Sequence, residues 1–117
     1  MSACGLPKEL LLRKPWQYRH VYANGRRLRG RNFTLIWVAN DCGESRLGIS
    51  VHGFKSAVRR NRVKRLIREF FRRNRPFFQE ALCARAAVAG ADMVFAVRRE
   101  FDCTSNQFAE EVQRLLR

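Results

Sequence analysis

Acidic residues are scarce in this chain. Asp and Glu number 10 against 24 Lys and Arg in 117 residues, giving a formal net charge of +14 and a pI of about 11.3. Such an excess points to a polyanionic partner, either nucleic acid or an anionic membrane surface. Long apolar runs are missing too, and nothing approaches the length of a membrane span. Leu10-Leu11-Leu12 is too short for a signal-peptide core, and charges interrupt it on both sides. A cytoplasmic protein is therefore expected. Cysteine is limited to Cys4, Cys42, Cys83 and Cys103, with no C-x-x-C pair and no neighbouring histidine. That spacing argues against a zinc site and for free thiols. The two histidines, His20 and His52, have no partner in sequence, so nothing catalytic is expected of them. The few acids are scattered or sit near element ends, whereas a protein nuclease needs clustered carboxylates for metal ions or a general base. Glu110 and Glu111 are adjacent, but on a helix they point about 100° apart.

What the chain does have is a core and a basic helix. Hydrophobic residues make up 46%, which excludes a disordered basic tail. The length suggests one domain spanning 1–117 with a modest core. The stretch from Lys55 to Arg73 reads as one amphipathic helix. Val63, Leu66, Ile67, Phe70 and Phe71 fall at i, i+3, i+4, i+7 and i+8, one face of a 3.6-residue period. Asn61, Arg65, Arg68 and Arg72 line the opposite face, with Arg60 and Lys64 at one edge of the apolar stripe and Arg62 and Arg73 at the other. Ser56 suits the N-cap, and Pro76 forces the chain out of this helix near Arg75. Glu69 is the one acid among ten Lys and Arg residues between Lys55 and Arg75. The like-charged i, i+4 pairs Arg60/Lys64, Lys64/Arg68 and Arg68/Arg72 each cost roughly 0.2–0.5 kcal/mol in an isolated helix. A solvated face normally mixes signs, so this one is expected to meet a polyanion. Arginine's planar fork suits phosphate.

Around that helix the elements follow in order. Residues 1–14 read as a basic arm, ordered only in part. Pro15 to Asn24 form a first helix with Tyr18, Val21 and Tyr22 on one face and Gly25 as its stop. Arg26 to Asn32 read as a basic loop. Phe33 to Ala39, β-branched and aromatic, read as a strand. A turn at Asn40 to Gly43 leads to a second strand, Arg46 to Val51, paired antiparallel with the first. After the central helix, Phe77 to Ala87 could extend as a short helical piece ended by Gly90. Asp92 to Arg98 is a third strand. Thr104 and Gln107 form a capping box for a terminal helix with Phe108, Val112, Leu115 and Leu116 on its apolar face. The order α-β-β-α-β-α gives an α+β fold, helices packed on a small central sheet, with a βαβ crossover around the long helix. Trp16 and Trp37 are expected to pack in the core or at shallow depth.

The segment Arg60-Asn61-Arg62-Val63-Lys64-Arg65-Leu66-Ile67-Arg68-Glu69-Phe70-Phe71-Arg72 closely resembles the "RNR" signature of the bacterial ribonuclease P protein subunit. Arg46 to Val51 resembles the strand leading into that signature. The first helix and the strand from Asp92 to Arg99 also resemble their counterparts in the family. The resemblance covers roughly residues 10–116. It implies a protein that does not itself carry the chemistry. A catalytic RNA with bound Mg2+ hydrolyses a phosphodiester to remove the 5′ leader of precursor tRNA, and the protein binds both RNA and leader. It also implies a left-handed βαβ crossover, against the general right-handed rule. Carried onto this sequence, Arg60, Asn61, Arg62, Lys64, Arg65, Arg68 and Arg72 would face the catalytic RNA. Tyr18 and Tyr22 would line the leader cleft, Phe33 and Ile36 would complete its floor, and Arg98 and Arg99 would supply its basic end. Aromatic side chains offer stacking platforms to unpaired bases, which suits that role. Two departures stand out. His52-Gly53-Phe54 replaces the family's common lysine pair in a loop about one residue shorter, and 77–91 is longer than usual.

Two other classes fit the size and charge. One is a small ribosomal-type structural RNA-binding protein, against which only the RNR motif argues. The other is a helix that enters a DNA major groove, but a strand rather than a helix-turn-helix precedes the central helix.

Overall fold

A computed structural model describes residues 10–40, 44–86, 90–98 and 101–116, without the side chains of 83–86. Its elements are α1 (Pro15–Asn24), β1 (Arg26–Arg29), β2 (Phe33–Asn40), β3 (Arg46–His52), α2 (Ala57–Arg73), α3 (Arg75–Ala86), β4 (Gly90–Arg98) and α4 (Ser105–Leu115). Among the described residues the strands form one mixed sheet in the order β1-β2-β4-β3. The α+β expectation holds, and two details of the sheet differ.

First, β2 and β3 do not pair. β4 lies between them, antiparallel to β2 and parallel to β3. The two short strands joined by a turn looked like a hairpin, but β4 is the most deeply buried strand, with Gly90 to Phe95 and Val97 all buried. A strand buried on both faces belongs at the centre, and partly exposed β3 takes the edge. The connection β3-α2-α3-β4 is the expected βαβ crossover. Second, the basic stretch after α1 contains β1, whose arginines suit an edge that must not recruit another strand. The exit from the central helix near Arg75 and the helical piece around Pro76 are as expected. Asn74 closes α2 by donating its backbone N–H to Phe70 and Phe71 and its side-chain amide to Phe70 O, and α3 starts at Arg75. Pro fits a first helical turn because its missing N–H would be unpaired there anyway.

The sheet separates two apolar clusters. On one face, Phe33, Leu35, Trp37, Leu47, Met93, Phe95 and Val97 meet Val63, Ile67 and Phe71 of α2, Phe78 and Leu82 of α3, and Phe108, Val112 and Leu116 after Thr104. The ring of Phe108 touches those of Phe33, Phe70, Phe95 and Phe101, at centroid separations of 5.0–6.0 Å. On the other face α1 alone covers Ile36 and Val94 with Val21, Tyr18 and Tyr22, joined by Leu12. The caps read from the sequence are in place: Ser56 Oγ accepts from Arg59 N, and Thr104 and Gln107 bond reciprocally. Gly25 closes α1 through its N–H to Val21 O.

The last residues of the expected N-terminal arm pack against the fold. Leu10 and Leu12 are buried, Leu11 bridges to Leu47, and Leu12 N donates to Leu47 O at 2.7 Å. Residues 1–9 lie outside the described residues, as do Cys4, Cys42 and the turn at 41–43. Trp37 is a core residue, but Trp16 is 61% exposed and packs in neither cluster. Cys103 is a free thiol whose pKa burial pushes up to about 11, so it stays protonated near neutral pH.

Among the described residues, two acids are buried, Asp92 on β4 and Glu111 on α4. Glu111 has no local sequence signal. Its carboxylate accepts from the Asn32 backbone N–H at 3.0 Å and the Asn32 side-chain amide at 2.8 Å, pinning the β1–β2 turn to α4. Gly30 leaves room for it, since a Cβ there would stand 2.2 Å from Glu111 Oε2. Glu111→Ala leaves two donors of Asn32 without this partner, so we expect about 2 kcal/mol of lost stability, measurable by urea unfolding with an unchanged m-value.

Candidate nucleic-acid interface

The side of α1's sheet face that α1 does not cover opens as a groove of about 700 Å³. Its floor follows from strand alternation. Thr34, Ala96 and Ser50 are register partners across β2, β4 and β3, and all are half-buried. The next row adds Arg98 opposite His52. Tyr22 of α1 borders one side, and Arg27, Arg29, Arg31 and Asn32 of the β1 hairpin border another. Exposed arginines converge here on a floor of small polar and apolar side chains. Such a surface suits an extended polyanion: backbone phosphates on the guanidinium rim, bases on the floor.

The two tyrosines play different parts. Tyr18 donates its hydroxyl hydrogen to Leu12 O at 3.2 Å and accepts from Ile49 N–H at 3.3 Å, tying α1 and the N-terminal segment to β3. Gly48 permits this, because a Cβ would stand 2.9 Å from the Tyr18 ring. Burial raises the Tyr18 pKa above the ordinary phenol value, with the Ile49 bond and the charge of Arg68 opposing it. Tyr22 borders the groove, its ring 5.9 Å from the Arg27 guanidinium carbon, while Arg27 also donates to Tyr22 O. Its hydroxyl is buried without a hydrogen-bond partner among the described residues. Tyr22→Phe should therefore leave the melting temperature unchanged or raise it. Tyr18→Phe should lower stability by about 1 kcal/mol through its two lost bonds.

Of the other residues expected at the cleft, Ile36 lies on the α1 face and borders the groove. Phe33 also borders the groove, at its own end of β2. Its ring turns to the opposite face, 5.2 Å from Phe95 and 5.0 Å from Phe108. Arg98 is exposed at the groove's end, and Arg99 lies outside the described residues. Missed were Arg27, Arg29, Arg31 and His52. The first three were visible only as a basic stretch, and His52 as a lone histidine, here 2.7 Å from Ser50 Oγ.

The second surface is α2. Asn61, Arg62, Arg65 and Arg68 are exposed, and Lys64 is half-buried. Two arginines of the motif are partly engaged within the chain. Arg60 donates to Phe54 O at 3.2 Å. Arg72 pairs with Glu69, which also takes a bond from Arg73 at 3.0 Å. The Arg72 hydrogen bond holds the Glu69 carboxyl below its ordinary range. The acid that breaks the basic run is thus occupied by its neighbours and does not oppose an incoming anion. Arg59, outside the expected set, donates to Phe101 O at 2.8 Å with its guanidinium carbon 5.4 Å from the Phe54 ring centroid. Among the described residues no group of three or more His, Cys, Asp or Glu could hold a metal ion, and no helix is long and apolar enough to cross a membrane.

The ribonuclease P family model matches residues 6–117. The chain belongs to the ribonuclease P protein family. A ribonuclease P protein component of Desulfotalea psychrophila is 48% identical over 106 residues, covering 90% of this chain and 81% of that one. Among solved structures, the ribonuclease P protein of Thermotoga maritima superposes with a TM-score of 0.70 at 28% identity, covering 90% of this chain and 93% of its own. A mutant Staphylococcus aureus ribonuclease P protein gives a TM-score of 0.72 at 26% identity, covering 93% and 86%. A ribonuclease P protein component implies association with ribonuclease P RNA, and the helix that carries the RNR signature sets eight Lys and Arg against the single Glu69.

Proposed function

We propose that this chain is the non-catalytic partner of a ribonuclease P RNA, binding that RNA through α2 and the 5′ leader of precursor tRNA through the groove beside α1. The observation that carries the reading is the placement of two basic surfaces on one small fold. The α2 side presents Asn61, Arg62, Lys64, Arg65 and Arg68. The groove presents Tyr22, Arg27, Arg29, Arg31 and Arg98. α2 follows β3 in the chain, and β3 lends Ser50 and His52 to the groove, so the two surfaces sit on neighbouring elements. One protein can then touch the RNA and the leader together, and its cations relieve the repulsion between them. Mg2+ held by the RNA supplies the hydrolytic chemistry, and the chain's own residues bind and position. Tyr18 supports the cleft from beneath, while Tyr22 offers the aromatic edge.

The test uses the assembled ribonucleoprotein. Tyr22→Ala should weaken binding of leader-bearing precursor tRNA by about tenfold, the worth of one stacked base, and leave mature tRNA unaffected. Equal loss for both would remove the groove as the leader site. Tyr18→Ala is the less clean probe, because it also cuts the ties to Leu12 and Ile49.

A further inference from the structure

A second groove, of about 590 Å³, runs between α2 and α4 on the side of the molecule carrying the RNR helix. That volume lies within the range of small-ligand sites, about 300–1,000 Å³. Leu66, Phe70 and Ala109 give it an apolar bed, and each is only half-buried. Arg62, Arg65 and Arg73 rise along the α2 wall. Across from them, the exposed amides of Asn106 and Gln113 stand on α4. The remaining charge, Glu69, is held by Arg72 and Arg73.

We infer that this groove receives an unpaired nucleotide of the RNA bound by α2, its base lying on Leu66 and Phe70 and its phosphate between Arg62 and Arg65. The inference rests on the proposed binding of ribonuclease P RNA, and it names a pocket and an added element, α4, within that interface. The chemistry fits each part. A flat apolar bed beside guanidinium planes is what an extruded base stacks upon. Primary amides carry both a donor and an acceptor for the base edge. Arg62 and Arg65, beside a Glu69 already paired with Arg72 and Arg73, favour a polyanion over an acidic-and-basic protein surface. Arg65 belongs both to the outer face of α2 and to this wall, so the pocket is continuous with the surface that meets the RNA.

The experiment compares the wild-type chain with Asn106→Asp/Gln113→Glu, which sets two carboxylates opposite the arginines at exposed positions. Ala109→Trp, which fills the bed, is the second variant, and thermal melts confirm that each folds. Binding of a bacterial ribonuclease P RNA is titrated, and base accessibility is mapped by chemical probing of the complex. We expect one or a few unpaired nucleotides protected by the wild type, loss of that protection in both variants, and about tenfold weaker binding. Unchanged protection and affinity in the folded variants would overturn the inference while leaving the α2 assignment intact. RNA bound by the wild type with no protected unpaired base would also overturn it, and would leave the groove to a protein partner. Failure of the wild type to bind the RNA at all would instead overturn the reading on which the pocket depends.

Discussion

Reversing two charges on α2, Arg65→Glu with Arg68→Glu, is expected to weaken binding of ribonuclease P RNA by on the order of a hundredfold or more at moderate salt. Both side chains are exposed, and neither takes part in the Glu69 cluster or in an α2 cap, so the fold should survive. The reversal removes two phosphate contacts and adds two repulsive charges. The milder Arg68→Gln should lower the magnitude of the log–log salt slope by about one contact, roughly 0.7–0.9. Filter binding or fluorescence anisotropy across a salt series measures both. An unchanged slope would place Arg68 away from the RNA backbone. Arg72→Gln should do less, because Arg72 is already paired with Glu69.

Asp92→Ala is expected to be the most destabilising single polar substitution discussed. The carboxylate is 5% exposed and receives Arg46 through both Nε and a terminal nitrogen at 2.7 Å, with the Asn40 amide at 2.7 Å. It therefore clamps the starts of β3 and β4 to the end of β2, at the register where Arg46 faces Asp92. Removing Asp92 takes the bidentate carboxylate from Arg46 and the acceptor from the Asn40 amide, at about 3 kcal/mol or more. For a chain of this size that is roughly 10–20 °C in melting temperature. Replacing both partners with apolar residues should recover much of the loss, because the desolvation of each ion then disappears as well. A double-mutant cycle by thermal melting separates these cases.

The elements that could be read from sequence are those whose local signals agree with their burial. In α2 the i, i+3, i+4 stripe, the Ser56 cap and the one-sided charge all point the same way, and Val63, Ile67 and Phe71 are buried as the period requires. In α4 the Thr104–Gln107 box and the Phe108/Val112 spacing agree likewise. Sheet order was not legible because it depends on which strand is buried on both faces, a property of the assembled core. β1 was hidden because its four residues are three arginines and a leucine, a composition that resembles a loop until an edge strand is needed.

The same distinction holds at the interface. The α2 residues follow from the motif alone. The groove is assembled from α1, two hairpin strands and the ends of β3 and β4, so no local window contains it. Phe33 and Ile36 lie three apart on a strand, and alternation sends them to opposite faces. Both border the groove, Ile36 from the α1 face, while the ring of Phe33 closes the core against Phe108. The burial of Glu111 was not legible locally. Its sequence neighbour Glu110 is exposed, and only contact with Asn32, far away in the chain, reveals why the carboxylate is buried.

The most direct test is cleavage of a 5′-extended precursor tRNA at low magnesium by the protein alone, a bacterial ribonuclease P RNA alone, and the two together. Cleavage only with both present, or far faster than with either, is the expected result. Tight binding of the RNA with no stimulation of cleavage would contradict it, and would favour a ribosomal-type structural role for the same basic surfaces.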